Sequence, residues 1–560
     1  MINGQTINGA MLNGSGSVVA SPPDYVIAGI GYTWQLRVIV DGVDLSAQVL
    51  GSTDIDREGG AAGVGGLELY LPPGPVVPTD WIGRSVTIDF LWTDGGGSHE
   101  ERRYTGQILR PRWDTANRVL SCELSDNLQQ RVEAMDVAAI DSLTGGAWSA
   151  DVFQPVEGRS RWDYAMERMG TQTSSLECSP HGDMRVSSWY ATPVAQYVFG
   201  AGTTLDGTLS LSLPDLSRMT NQVVIEADYR YTRLRQGNEK WSWFGGIFCS
   251  WYFVASKELP TISMVEEAVA SSGSYMIGTP VYDILPPSNA DPCGTGENWV
   301  NYNTDLLLGA DFETGRRWAQ PVTEKYELTL ECLPSIAQAG EIVARIGGRF
   351  EVDSPNSESW TTEPFDSGTS SYTDERDEVR RLAFFDVLMA QGVATIVSAH
   401  RGTRVTFAVP TPMAAGIDLI HTLRLEDQGI TAQGRVVRVR DIYDHTAGTA
   451  ITMLDLAIMR GGAGESDPLV PPPSPNELPP AAPVVIDLPT QLGRSNEAEC
   501  PIYDDELPGF SGNFSVGVCP DFPRRFDIIA PEIPETQRDE LPVPVVSAYR
   551  VSVPDDELEL

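Results

Sequence analysis

The amino-acid sequence predicts a mainly β, multidomain protein with minor α-helix, in which two small antiparallel β-barrels flank a mixed α/β region. Three observations support this fold class. The chain has 560 residues, which is too long for a single hydrophobic core. Its 53 glycines and 40 prolines indicate many turns. Short runs of alternating apolar and polar residues, separated by turn signals, occur in two parts of the chain.

The composition also limits the class of function. The formal net charge of −38 argues against binding a nucleic acid backbone, because phosphate contacts need clustered Lys and Arg. The acidic excess suits a wall past which DNA moves without adhering, or solubility alone. The seven cysteines form no CxxC pair, which is typical of reduced thiols, although Cys500 and Cys519 could bridge a loop. We recognise no signal peptide and no transmembrane segment.

Residues 1–30 are predicted to form an N-terminal arm and linker. An aliphatic residue precedes Asn-Gly three times in succession, at Ile2-Asn3-Gly4, Ile7-Asn8-Gly9 and Leu12-Asn13-Gly14. This spacing matches neither a helix nor a strand. Because Asn and Gly tolerate positive φ, the backbone can bend at each repeat.

Residues 31–135 are predicted to form the first β-barrel. The segment TWQLRVIVDGVDLS alternates apolar and polar side chains and then turns at Asp41-Gly42. Five or six short strands in about a hundred residues favour a small antiparallel barrel. The further strands are GLELYLP (66–72), SVTIDFLW (85–92), RRYTGQILRPRW (102–113) and RVLSCELSDN (118–127).

Residues 136–207 are predicted to form the mixed α/β region, with a helix indicated by the spacing of the apolar residues in RWDYAMERM (161–169). Two strands follow, and residues 208–235 are assigned to the second barrel. Residues 236–372 are an insertion with an aromatic hairpin, WSWFGGIFCSWYFV (241–254). Its rings could touch a sugar or a membrane, or pack against a partner subunit or a neighbouring strand.

Residues 373–460 are predicted to form a helix and the second β-barrel. The helix spans 373–392, with Thr373 as its N-cap and Gly392 as its end. Residues 461–560 form a Pro-rich, acidic C-terminal extension that cannot bury enough surface to fold alone. We expect the extension to be disordered or laid along another subunit. The barrel strands are TRVTFAVP (403–410), LIHTLRLED (419–427), ITAQGRVVRVRDIYD (430–444) and TAITMLDLAIMR (449–460).

We recognise no motif for catalysis, cofactor binding or metal binding. The five histidines show no metal-ligand spacing, and HExxH and GxxxxGK[ST] are absent. The abundant acidic pairs single out no glycosidase pair. The sequence therefore predicts a protein without a cofactor or catalytic site, with a hydrolase as the alternative.

The order of these motifs resembles the baseplate hub proteins of bacteriophage tails, of the late-control protein D type. The match covers about 32–135, 160–234 and 375–460. The segments that carry it are DGVDLS (41–46), GRSVTI (83–88), TGQI (105–108), SDN (125–127), GRVV (434–437) and GTAIT (448–452).

The resemblance implies a structural baseplate hub at the distal end of the tail, a homotrimer whose six barrels form a pseudo-sixfold ring. The implied partners are the distal tail protein ring and tail tube, the C-terminus of the tape measure protein, and tail fibre or tip proteins. DNA would pass through the lumen on ejection without specific binding. The implied location is the virion tail, after synthesis in the bacterial host cytoplasm. A receptor- or carbohydrate-binding tail protein and a tail-associated cell-wall or capsule hydrolase are the alternatives.

Nine residues are candidate partner contacts. In the arm, the aliphatic side chains would enter pockets on a neighbouring tail subunit or add as an edge, whereas a disordered terminus is the alternative. The candidates are Ile2, Asn3, Ile7, Asn8, Leu12 and Asn13 in the arm, and Trp241, Trp243 and Trp251 in the aromatic hairpin.

Deletion of residues 2–14 tests the arm. We expect weaker assembly with the adjacent tail ring, because three apolar anchors are lost, and co-sedimentation measures this. Unchanged assembly would exclude the arm as a partner contact.

Overall fold

A computed structural model describes residues 31–244, 259–285, 287–290, 294, 296, 298–299, 305–357, 360, 364–475, 481–492, 506, 508–512 and 524–560. The chain is mainly β, with seven described helices and several sheets, as the sequence predicts.

The first twelve strands are β1 (Thr33–Val40), β2 (Val43–Asp44), β3 (Val49–Glu58), β4 (Val64–Tyr70), β5 (Ser85–Asp94), β6 (Gly97–Asp114), β7 (Val119–Ser125), β8 (Ser174–Cys178), β9 (Met184–Ser188), β10 (Tyr197–Phe199), β11 (Ser210–Ser212) and β12 (Gln222–Phe244). The next are β13 (Tyr275–Ile284), β14 (Asn289–Ala290), β15 (Asn298–Trp299), β16 (Leu307–Glu331), β17 (Val343–Glu351), β18 (Ser371–Glu375), β19 (Thr403–Pro410), β20 (Thr422–Asp427), β21 (Ile430–Asp444) and β22 (Thr449–Ile458). The last are β23 (Arg460–Ala463), β24 (Val484–Asp487), β25 (Thr490–Leu492), β26 (Gly509–Gly512), β27 (Arg525–Asp527), β28 (Leu541–Arg550), β29 (Val553–Asp555) and β30 (Leu558–Glu559).

The helices are short except for one long core helix. They are α1 (Leu128–Glu133), α2 (Val137–Thr144), α3 (Arg161–Met169), α4 (Ile262–Ser271), α5 (Leu333–Ala339), α6 (Glu378–Ala399) and α7 (Glu535–Arg538).

One large sheet contains two lobes, which are antiparallel except that β10 pairs in parallel with β20. The first lobe, β1–β7, has the strand order β3-β4-β7-β6-β5-β1-β2. The second lobe, β10, β11 and β19–β22, has the order β11-β19-β22-β21-β20-β10. Each lobe encloses its own apolar core, with Phe90 and Leu120 fully buried in the first and Phe407 and Leu454 fully buried in the second. The two lobes are continuous, because β3 of the first pairs with β21 of the second.

A separate seven-stranded sheet, called the third sheet to distinguish it from the two lobes, is built on a long ribbon. In this ribbon β12 and β16 pair antiparallel over the whole length of β12. Near Gln222 the ribbon is widened by β17 and β28 and covered by α6, whose Phe384 and Phe385 are fully buried. Near Phe244 it is widened by β13 and β24 and covered by α4. A smaller helical lobe, α1–α3 with β8 and β9, has a separate core.

The sequence assigns residues 208–235 to the second barrel, but the structure divides this range. Within it only β11 pairs with the second lobe, whereas β12 is a central strand of the third sheet. Alternation of apolar and polar residues identifies a strand but carries no information about which sheet the strand joins.

The long helix also differs from its predicted bounds. Residues 371–375 form β18, and Asp377 caps α6 by accepting a hydrogen bond from the backbone N–H of Arg380 at 3.0 Å. The helix continues through Gly392 to Ala399. A Cβ at Gly392 would lie 2.4 Å from Cδ1 of Leu330, so this glycine permits close packing on β16 rather than ending the helix.

Helix α6 is the one described helix whose length and composition would suffice to cross a membrane. Ten of its residues are buried, and its apolar side chains belong to the core of the third sheet. Packing in that core accounts for its apolar composition.

The described part of the C-terminal extension lies along its own chain, which differs from both expectations for this segment. β28 pairs in parallel with β16, β29 pairs with β23, and β30 pairs with β21. Alternate residues of β28 face the core of the third sheet, so the segment buries apolar surface against a sheet that already exists.

β28 is also an edge strand with a protected outer side. Arg550 donates its backbone N–H to Asp467, away from β16, whereas Val551 donates to the carbonyl of Glu331. Pro542 and Pro544 lie an even number of residues from Arg550, so their backbone nitrogens face the same outer side. Because proline has no N–H, the outer edge lacks two hydrogen-bond donors. Missing donors discourage another strand from adding there.

The extension's contribution to stability can be measured by thermal unfolding. Val553→Ala removes two methyl groups from a fully buried position and is expected to cost about 2 kcal/mol. Val546→Ala on β28, where the residue is 74% exposed, should change stability by less than about 0.5 kcal/mol. Equal unfolding temperatures for both variants would show that the C-terminal segment is not part of the core.

Candidate assembly interface

The two lobes share one succession of elements. In each, a strand leads through a 3₁₀ turn into a hairpin and then a third strand: β4, 78–81, β5, β6 and β7 in the first lobe, and β19, 411–414, β20, β21 and β22 in the second. In the first lobe, β4 pairs with β7, and β6 lies between β5 and β7. In the second lobe, β19 pairs with β22, and β21 lies between β20 and β22. The lobes are therefore structural repeats within one chain.

The repeat extends to individual residues. Gly106 on β6 and Gly434 on β21 occupy equivalent positions, where a Cβ would lie 2.5 and 2.4 Å from a carbonyl oxygen of the facing strand. Two residues later, Ile108 and Val436 donate their N–H groups to Arg84 and His421, both at 3.0 Å. A register irregularity follows in both strands, between Ile108 and Arg110 and between Val436 and Arg438.

The hairpin turns that end these strands are equivalent as well. Asp114 accepts backbone N–H bonds from Ala116 and Asn117, as Asp444 does from Thr446 and Ala447. The fourth residue after each aspartate has positive φ, 57° at Arg118 and 67° at Gly448. A short acceptor side chain that bonds its own turn is a common way to fix such a hairpin.

An antiparallel ladder between β3 and β21 joins the lobes. It runs from Arg438 opposite Glu58 to Asp444 opposite Ser52. Arg438 donates to the carboxylate of Asp56 across the ladder, with Nε at 2.8 Å. β22 pairs with one side of β21 over this whole range. On the opposite side β20 pairs with β21 only as far as Arg435, and β3 pairs with the residues that follow.

The tip of the β21–β22 hairpin completes the first lobe's core. Tyr443 is fully buried there, and its ring centroid lies 5.5 Å from that of Phe90 and 5.8 Å from that of Trp34. Trp34 donates its indole N–H to the carbonyl of Gly448 at 3.0 Å. The hairpin thus fills the space between β3 and β1, the strands that would otherwise border an opening.

Buried charge lies beneath this aromatic contact. Arg103 of β6 makes two hydrogen bonds to Asp441 of β21, at 3.0 and 2.6 Å. Neither side chain is more than 1% exposed. Thr452 also donates to Asp441, at 2.6 Å. The pair satisfies two charged groups from different lobes. Separating the lobes would leave Asp441 without a charged partner and Arg103 with only Glu101, at 3.1 Å.

A second charged cluster binds the helical lobe to the same junction. Asp418 of the second lobe accepts hydrogen bonds from Arg57 of β3 at 2.5 Å and Arg185 of β9 at 2.6 Å. Burial alone would raise the pKa of Asp418, but the charges of Arg57 and Arg185 lower it to about 2. The carboxylate therefore stays ionised at neutral pH and connects three parts of the fold.

Two edges of the repeat have no strand partner among the residues described. On β6, residues 110–114 correspond by register to residues 438–442 of β21, which pair with β3, and their outer side has no backbone partner among the described residues. On the second lobe, Ser210–Ser212 of β11 correspond to Asp54–Asp56 of β3, because both segments pair with equivalent positions of β19 and β4. Each lobe thus has both kinds of edge, and the chain uses one of each internally.

Of the nine candidate contacts predicted from the sequence, the structure describes only Trp241 and Trp243. Residues 2, 3, 7, 8, 12 and 13 of the arm, and Trp251, fall outside the described part of the chain. Trp241 and Trp243 are 1% and 4% exposed in the core beneath α4, where the indole N–H of Trp241 donates to Thr314 at 2.8 Å. Both rings pack inside the chain, against neighbouring strands, so they offer no surface to a partner or a sugar.

The edges that the structure reveals were not found by sequence reasoning. The sequence does contain a signal, because the segments GQILRPRWD (106–114) and GRVVRVRDIYD (434–444) are similar to each other. Only the paired register shows that these strings are equivalent strands. Among the described residues, no group of three potential metal ligands is found, and Cys122, Cys178 and Cys332 are unbridged.

No protein-family model matches the chain, and no curated protein matches it. Among solved structures it is similar to a tail protein from Neisseria meningitidis MC58, at 11% identity and a TM-score of 0.36, covering 76% of this chain and 96% of that one. It is also similar to the 43 kDa tail protein of prophage MuSo2 from Shewanella oneidensis, at 8% identity and a TM-score of 0.34, covering 77% and 99%. A third similar structure is the prophage tail protein gp18 from Listeria monocytogenes EGD-e, at 7% identity and a TM-score of 0.31, covering 76% of this chain and 94% of that one. Similarities this low carry no argument about this chain.

The buried pair at the lobe junction can be tested by substitution. Asp441→Asn removes the fully buried counterion of Arg103 and leaves only Glu101, whose side chain is 21% exposed, which is expected to cost about 3 kcal/mol. Glu123→Gln removes the partner of Arg110 and Arg112 at the surface and should cost less than about 1 kcal/mol. Urea unfolding followed by tryptophan fluorescence measures both. A similar loss in the two variants would mean that the junction is not held by this pair.

Proposed function

We propose that this chain is a structural subunit of a bacteriophage tail, forming a trimeric, pseudo-sixfold hub at the distal end. The observation that carries the proposal is the internal repeat, with its two lobes joined edge to edge and one edge of each kind left unpaired. The sequence resemblance to baseplate hubs supplies the biological setting and the number of three chains.

The geometry of the repeat favours a ring. Within the chain, the second lobe offers β21 and the first lobe offers β3, so the contact is head-to-tail. Head-to-tail contacts propagate until they close into a ring or continue as a filament. The remaining β6 edge of one chain would then pair with β11 of the next, which repeats between chains the contact that already exists within one.

The repeat also defines the register of this contact. Within the chain Arg440 lies opposite Asp56. Arg112 corresponds to Arg440, and Ser212 corresponds to Asp56, so Arg112 of one chain would lie opposite Ser212 of the next. Pro111 has no N–H and would contribute only its carbonyl, which makes the ladder between chains shorter than the one within the chain.

Charge complementarity supports the same pairing. The β6 edge presents Arg110 and Arg112, whose side chains are 67% and 66% exposed. Asp206 and Asp215 flank β11 in the sequence. Opposite charges at facing edges guide the encounter and disfavour other registers.

In a tail, such a ring would join the tail tube and its distal protein ring to the C-terminus of the tape measure protein and to fibres or tip proteins. The N-terminal arm would provide one of these contacts. The excess of acidic residues would line a lumen through which DNA moves without adhering. No described side-chain arrangement favours a hydrolase. Trp241 and Trp243, two of the three hairpin tryptophans that favoured carbohydrate binding, lie in the interior, and Trp251 lies outside the described residues.

Cysteine cross-linking tests the ring and its register together. The double variant Arg112→Cys/Ser212→Cys should form disulfides between chains on mild oxidation, because facing residues of an antiparallel pair lie within disulfide reach. We expect a covalent product of three times the chain mass on a non-reducing gel. Native mass spectrometry of the unmodified protein should give the same stoichiometry.

The matched control is Arg112→Cys/Leu213→Cys, which shifts one cysteine by a single residue to the other face of the strand. It should cross-link poorly, as should each single variant. A monomeric native mass would refute the ring. Equal cross-linking in the matched and shifted pairs would refute the proposed register.

A further inference from the structure

A cavity of about 50 Å³ lies where the first lobe, the second lobe and the helical lobe meet. Three arginines line it: Arg401 after the end of α6, Arg404 on β19 and Arg435 on β21. Opposite them are Ser175 and Ser187, on β8 and β9. The cavity is thus polar, strongly basic and built from separate parts of the chain, in a protein whose overall charge is −38.

These three arginines have no ion pair with any carboxylate in the described part of the chain. Arg435 is 8% exposed, and its Nε has no hydrogen-bond partner. Arg401 lies over the ring of Trp189, 4.5 Å from its centroid, and its buried Nε also lacks a hydrogen bond. Burial, and then the charges of Arg404 and Arg435, lower the pKa of Arg401 to about 10. Arg401 is therefore repelled by two neighbouring guanidinium groups, whereas Arg435 feels the opposite charges of Glu177 and Asp418 without forming an ion pair with either.

The nearest buried carboxylates are shared with other arginines. Glu177 accepts two hydrogen bonds from Arg185 through Oε1, while its buried Oε2 has no hydrogen-bond partner, and Asp418 binds both Arg57 and Arg185. Glu58, at the rim, is exposed. The junction holds five guanidinium groups, those of Arg57, Arg185, Arg401, Arg404 and Arg435, against three carboxylates, those of Glu58, Glu177 and Asp418. Two positive charges remain uncompensated.

We propose that this cavity is a binding site for an oxyanion, held by Arg401, Arg404 and Arg435. Guanidinium groups match the planar, paired oxygens of carboxylate and phosphate groups, and the serine hydroxyls can donate further hydrogen bonds. A cavity of this volume holds several water-sized groups, which is enough for one such anion. The ligand would be either free inorganic phosphate or a carboxylate side chain from a neighbouring subunit.

Binding would stabilise the junction of the three lobes. An anion that binds only the folded chain raises its unfolding temperature in a concentration-dependent way. It would also relieve the repulsion among the three arginines, which belong to elements that unfolding separates. This inference stands on the cavity alone and does not require the ring.

Differential scanning calorimetry with sodium phosphate, against sodium chloride at the same ionic strength, tests the site. Phosphate should raise the Tm of the full chain and the increase should saturate. Arg404→Gln should abolish the phosphate-specific part of the increase. The matched control is Arg349→Gln, an exposed arginine on β17 far along the chain from the cavity, and it should keep the full increase.

A second measurement keeps the test valid if the variant is altered in stability. In chloride alone, Arg404→Gln should unfold at the same or a higher temperature than the unmodified chain, because an uncompensated charge has been removed. A fall in Tm would overturn the proposal, since it would show that Arg404 already has its counterion. Equal effects of phosphate and chloride, or equal responses of the two variants, would overturn it as well.

The source of the oxyanion is distinguished by protein concentration. If a partner carboxylate fills the cavity, the phosphate effect should be present in dilute protein and lost in concentrated, assembled protein. If free phosphate is the ligand, the effect should persist at both concentrations. Either result supports the site, whereas no phosphate effect at either concentration refutes it.

Discussion

The antiparallel ladder between β3 and β21 is the contact on which the rest of the molecule depends. Strands 380 or so residues apart in sequence pair there, so two lobes become one sheet. The pairing brings Tyr443 into the first lobe's core and Asp441 beside Arg103. Without it, each lobe would have an open edge, and the core of the first lobe would lack Tyr443 and Ala450.

Charge at this junction follows from the same constraint. Where sheet edges and a helical lobe converge, side chains that would be solvated on separate domains become buried, and burial of a charge is costly unless it is paired. Asp441 with Arg103, and Asp418 with Arg57 and Arg185, meet that requirement within the chain. Arg401, Arg404 and Arg435 do not, which makes the cavity that they line different from the neighbouring buried pairs.

The chain uses one edge of each kind internally and leaves one of each unpaired, which favours assembly through the two remaining edges. Equivalent surfaces can form the same contact. Because β11 corresponds to β3 and β6 corresponds to β21, the pairing of β3 with β21 indicates how β11 would pair with β6 of another chain. The third sheet differs in this respect. Its outer strand β28 comes from the last twenty residues of the chain and carries prolines at its exposed edge, so this edge does not favour pairing with a strand of another chain.

The sequence establishes the class of the fold, because alternation and turn residues are local signals. Most strands of both lobes and a helix overlapping 373–392 are recognisable from residues such as Asp41-Gly42 and Phe385, whereas β3 and β10 are not among the predicted strands. It could not determine which strands become neighbours. The sheet that β12 joins, the course of the C-terminal segment and the interior position of Trp241 depend on contacts between residues far apart in the chain. Gly392 illustrates the limit, since glycine ends a helix or permits close packing, and only the position of Leu330 decides between them.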